Sequence, residues 1–137
     1  MNRQLDPFAR VPAVVMFLIV AAMMIGPIAC QSLYRTVVTL TEVMDSASKE
    51  YAKMFNDGLV PPDVASQVAV AHLEYRKSAA VLHDVLVAVK EGRDGNTEGA
   101  FIAAREAASR FIDVVALILT KDKTASLRTQ LAKATKP

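Results

Sequence analysis

The chain has no tryptophan, a single cysteine and only five glycines among its 137 residues, and aromatic side chains make up 6%. One thiol cannot close an intrachain disulfide, so a cross-linked scaffold is excluded. The glycines stand in turn-like contexts and form no loop that could cradle a phosphate, and CxxCH, HExxH and GxSxG are all missing. Covalent haem, zinc hydrolysis and a serine nucleophile on an elbow therefore have no support. Neither sign of charge dominates: 16 basic and 14 acidic side chains are spread along the chain, leaving a formal +2. A nucleic-acid footprint needs clustered basic charge, so nucleic acid is not an expected partner.

Aliphatic and small side chains dominate instead, with 53% hydrophobic residues overall. This is the composition of helices packed through alanine, valine and leucine, and it excludes disorder over most of the length. A chain of this size supports one domain.

The amino-terminal thirty residues differ from the rest. Arg3, Arg10 and the free amine outweigh Asp6, and "VPAVVMFLIVAAMMIGPIACQSLY", Val11 to Tyr34, then runs without one charge. A basic start followed by an apolar segment reads as a bacterial export signal or a membrane span, since crossing a bilayer takes roughly 20 apolar residues. Gly26-Pro27 is expected to break the helix, because proline lacks an amide donor and restricts the residue before it. Small residues then lead to Cys30, the one thiol.

The junction "GPIAC" resembles the lipobox of bacterial lipoproteins, in which a signal peptidase cuts before a cysteine that carries diacylglycerol. Ile28 and Ala29 fill the two positions before Cys30 acceptably, while Pro27 stands where that motif has leucine or another aliphatic residue. The resemblance implies lipid attachment at Cys30 and a mature protein beginning there, held by several acyl chains. Gln31 after the cysteine resembles the default outer-membrane sorting signal, aspartate being the usual inner-membrane retention residue. Residues 1–30 are thus a signal peptide or, on the rival reading, an uncleaved anchor helix with Cys30 inside it.

Beyond Cys30 three segments keep an alternating four-and-three spacing of apolar residues, the stripe of a packed helix. They are Leu33, Val37, Leu40, Met44, Ala47, Tyr51 and Met54; then Val64, Val68, Ala71, Tyr75, Ser78, Leu82, Val85 and Val89; then Phe101, Ala104, Ala108, Phe111, Val115 and Ile118. Gly58 and Pro61-Pro62 separate the first two, with Asp63 placed to cap or open the second helix. "KEGRDGNTEG" separates the second and third, with Asn96 or Thr97 as the next cap. Matched lengths and short connections predict an all-α fold in which the apolar signal or anchor helix precedes an up-down-up antiparallel three-helix bundle over residues 31–120. Residues 121–137 then read as a basic C-terminal tail, solvated and frayed; Leu127, Leu131 and Ala134 allow a short amphipathic turn that could meet anionic headgroups.

Chemistry-bearing side chains are sparse. His72 and His83 share a face of the second helix but stand roughly 16 Å apart at the helical rise, too far to hold one metal together. They read as surface histidines, and the methionines as apolar filling. Neither a metal nor another cofactor is expected, and neither is enzymatic turnover. What stands out is surplus hydrophobicity away from the stripes: Val70, Leu73, Val81, Leu86 and Val87 on the second helix, Ile102, Ile112, Val114, Leu117 and Leu119 on the third. Either the stripes are broad or a second face meets a partner. Leu73, Leu86 and Leu117 are the candidates for such a partner surface.

As a whole the architecture resembles small helical lipoproteins encoded by bacteria and by their phages or prophages. That resemblance implies a membrane-anchored, non-enzymatic protein-interaction module on the periplasmic or surface side of the cell envelope, binding a protein partner or itself. The alternative from another class is a structural membrane protein whose single uncleaved span assembles with identical copies.

Overall fold

The structure, a computed structural model, describes the backbone of residues 13–134 and the side chains of residues 32–134. The basic start with Arg3 and Arg10, and the side chain of Cys30, lie outside the described residues. Every described segment of regular structure is helical: α1 Ala13–Asn56, α2 Pro62–Lys90, α3 Thr97–Val115 and α4 Lys121–Lys133. Packing divides the chain after Arg35, and the helices pack as a compact unit that begins at Thr36.

Two expectations are corrected here. The backbone of α1 continues as helix through Gly26-Pro27, where a break was expected. A mid-helix proline costs about 3 kcal/mol and one hydrogen bond, a local penalty that favourable turns on either side can outweigh. Residues 121–137 are likewise not merely a frayed tail, because Lys121–Lys133 form α4 and bury Leu127 and Leu131. The described residues therefore hold four helices where three were expected after Cys30.

The turns between α1, α2 and α3 follow from local chemistry. Gly58 closes α1 at φ 70°, with its own N–H bonded to the Phe55 carbonyl and Leu59 N–H to the Met54 carbonyl, both at 3.0 Å. Gly92 repeats the motif after α2 at φ 76°, Arg93 N–H reaching the Ala88 carbonyl at 2.9 Å. Both are left-handed closures that satisfy otherwise orphaned carbonyls, and only glycine adopts them without a Cβ penalty. Proline at the first position and Asp63 in the first turn start α2, with no side-chain cap. Asn96 starts α3, its side-chain oxygen accepting from Gly99 N–H at 2.8 Å. The end of α3 carries no glycine or proline; the chain leaves it through a tight turn, Leu117 and Ile118 N–H bonding the Val114 and Val115 carbonyls at 3.1 Å, before the Thr120 cap of α4.

Contacts between the helices fix their senses. Tyr51 and Ser48 meet Val68 and Ala69, whereas Thr41, earlier on α1, meets Tyr75, later on α2. His72 faces Phe111 while Val85 and Val89 lie against Gly95. Each pair is thus antiparallel. Ala100, Ala104, Ala107 and Ala108 bring α3 close to its neighbours, among them α2 and α4. The core joins Leu40, Val43, Met44 and Ala47 of α1 with Val64, Val68, Ala71 and Leu82 of α2, Phe111, Ile112 and Val115 of α3, and Leu127 and Leu131 of α4. No polar or charged residue is buried among those described. Hydrophobic burial therefore holds the unit together, with side-chain polar groups left at its surface.

Candidate functional site

Helix α2 has two sides that do different things. One carries Val64, Val68, Ala71 and Leu82 into the core, with Tyr75 and Val85 packed against it. The opposite side repeats the four-and-three step through Val70, Leu73, Lys77, Ala80, Asp84 and Val87, all exposed, with Val81 beside them. Val70, Leu73 and Val81 are each more than half exposed, at 57%, 53% and 55%. Since the fold already has its core on the other side, these side chains gain little from the monomer, because more than half of their surface stays in water.

The three residues expected at a partner surface fall in different places. Leu73 lies in the middle of the outward side of α2. Leu117, 65% exposed, stands in the turn between α3 and α4 and not on that helix. Leu86 packs against the core cluster and belongs to the interior seam. Among the other surplus residues, Ile112 is fully buried and Val114 and Leu119 lie against the core, whereas Ile102 is exposed. Phe55 and Leu59, exposed around the α1–α2 turn, were not singled out by periodicity, because they flank the helix-closing glycine where the stripe ends.

The histidines do separate things. His72 is half-buried, its ring centroid 5.7 Å from that of Phe111, and it lines an open cleft of about 230 Å³ with Ser48, Tyr51, Val68 and Ala69. His83 is exposed, its Nδ1 3.6 Å from a carboxylate oxygen of Asp84. No group of three or more His, Cys, Asp or Glu side chains that could hold a metal ion occurs among the described residues.

Among the described residues two groups have shifted acidity. The Lys123 ammonium, bonded to the Glu50 carboxylate, holds that carboxyl below its ordinary range, with burial opposing and Lys53 adding a smaller pull. Burial pushes the Tyr75 phenol above its ordinary 10.0, opposed by the adjacent Thr41 hydroxyl. Tyr75 also lines a smaller cleft, about 180 Å³, with Leu40, Leu82 and Leu86. Because the folded state holds the Tyr75 proton more tightly than the unfolded chain does, stability falls as pH rises past the unfolded value. A melting series between about pH 9 and 11 should show a steeper loss in the parent than in Tyr75→Phe. Equal slopes would mean that the phenol is solvated and not packed as described.

Over residues 32–134, whose side chains are described, no stretch of helix is long and apolar enough to cross a membrane. Comparison with protein families, with curated proteins and with solved structures returns no match.

Proposed function

We propose that this chain is a membrane-anchored helical bundle of the bacterial cell envelope that works by protein contact, without turnover, as the phage-encoded and bacterial lipoproteins it resembles would. The observation that carries the reading is the double-sided character of α2: its inner side completes a core while Val70, Leu73 and Val81 stay in water on the other. The uncharged run from Val11 to Tyr34 supplies the anchor, with lipid on Cys30 and the bundle on the periplasmic or surface side. The continuity of α1 from Ala13 favours a second form of this reading, in which the run stays uncleaved as a single span of a self-assembling structural protein.

One pair of variants tests both halves. Cys30→Ser removes the only thiol, so lipidation predicts that incorporation of radioactive palmitate disappears and the precursor stays uncut. Unchanged mass and membrane residence in that variant favour the uncleaved span, and release of the parent chain into the soluble fraction overturns anchoring altogether. Leu73→Gln is expected to melt near the parent temperature while losing association, since an exposed leucine contributes little to the monomer. Loss of folding in Leu73→Gln would make it a core residue and remove the support for contact.

A further inference from the structure

We infer that the outward side of α2 pairs with the same side of a second copy, in an antiparallel register centred between Ala80 and Val81; this rests on the contact reading above. The middle of that side, from Lys77 to Asp84, is self-complementary about this point, with Val70 and Val87 further out level with Glu91 and Glu74. Lys77 and Asp84 lie at equal distances on either side of it, so a two-fold axis there sets Lys77 of each copy level with Asp84 of the other. Leu73 falls level with Ala88 and close to Val87 of the second copy, and Val81 meets Ala80 at the axis. Both charges are available: Lys77 makes no ion pair among the described residues, and the ring beside Asp84 is that of the exposed His83, 3.6 Å away at Nδ1.

The charges also select the direction. A parallel pair would set Lys77 against Lys77 and Asp84 against Asp84, which costs energy where the antiparallel pair gains it. Apolar side chains supply the contact around them, Val70, Leu73, Val81 and Val87 being the exposed large ones on α2 apart from Val89 near its end. The face from Val70 to Val87 is about 26 Å long at the helical rise, enough for one helix–helix contact and short of the roughly 1,200–2,000 Å² that a stable soluble dimer buries. Fixation at a membrane raises the effective concentration of copies and makes such a modest face sufficient. Since α1 runs antiparallel to α2 within the unit, the α1 segments of the paired copies run in opposite senses.

Charge exchange in the full chain, purified in detergent and followed by sedimentation, tests the register. Lys77→Asp alone and Asp84→Lys alone should each weaken self-association by about tenfold or more, because each replaces both attractions by repulsions. An equimolar mixture of these two variants should associate as the parent does, and so should the double variant carrying both exchanges. Both positions of exchange are on the surface, so helicity and melting should stay at parent values. Single variants that associate as the parent does overturn the proposal, as does a parent that remains monomeric at every concentration. Preferential pairing of Lys77→Asp with the parent chain would mean a parallel register and overturn it too. A monomeric parent that remains fixed in membranes disproves the pairing and leaves the anchored reading standing, whereas a parent chain that is soluble but pairs in this register does the reverse.

Discussion

Leu40→Asp is expected to abolish cooperative folding of the bundle. Leu40 is 2% exposed and sits among Val43, Met44 and Ala47 of its own helix and the residues of α2, α3 and α4 that complete the core. A carboxylate there would lose its water and find no partner, since no buried residue among those described is polar or charged. The cost is about 3 to 5 kcal/mol for a buried group left without a partner, added to the lost leucine packing. A domain of this size has only about 5 to 15 kcal/mol to lose. Urea denaturation should show a broad, early transition or none, while Leu40→Met, which keeps the volume, should shift stability by less than about 1.5 kcal/mol. An aspartate variant that melted with the parent would mean that α1 does not pack in this register.

The second large effect is expected at the carboxyl-terminal helix, where Leu127→Ala and Leu131→Ala together should cost about 3 to 5 kcal/mol. The residues are 5% and 8% exposed, and Ala134 beyond them is buried as well. A helix of thirteen residues is marginal by itself in water, so α4 exists because these side chains dock, helped by the Thr120 cap and by Asp122 in its first turn. Its ion pairs are minor partners. Arg128 reaches Asp113 at 3.0 Å, but both side chains are more than half exposed, and Arg128→Ala should change stability by less than about 1 kcal/mol. Hydrogen exchange should find the α4 amides protected in the parent and in Arg128→Ala, and open in the leucine double variant. Unchanged stability on removal of both leucines would return this segment to the status of a solvated tail.

Much of the fold is legible without a structure, and for reasons that are local. Gly58, Pro61-Pro62, Gly92 and Asn96 mark the ends of α1, α2 and the start of α3 because each acts on the backbone within one turn, through a left-handed closure, a missing donor or a cap. The regular stripes placed Leu40, Met44, Ala47, Val64, Val68, Leu82, Ala104, Phe111 and Val115 in the interior, where they are found. The core residues missed beside the stripes share one cause. Val43, Ala107 and Ile112 are buried beside the stripes, because each helix in this unit touches more than one neighbour and its apolar face is broader than a coiled-coil seam. Leu86 and Leu73 look alike in the sequence, and both lie off the α2 stripe, yet one packs against the core and the other stands in water.

What the sequence determined by itself, then, is the helical class, the boundaries set by capping and turn residues, the inner side of each long helix and the presence of one uncharged run ending near a lone cysteine. Only the tertiary structure decided that α3 stops at Val115, that Leu127 and Leu131 complete the core from a fourth helix, and that the surplus apolar residues of α2 divide into an inner seam and an outward face. The physical reason is that caps, prolines and periodicity act over one or two turns of chain, whereas burial depends on which other helix stands opposite. For a side chain between two possible faces, that neighbour lies tens of residues away in sequence.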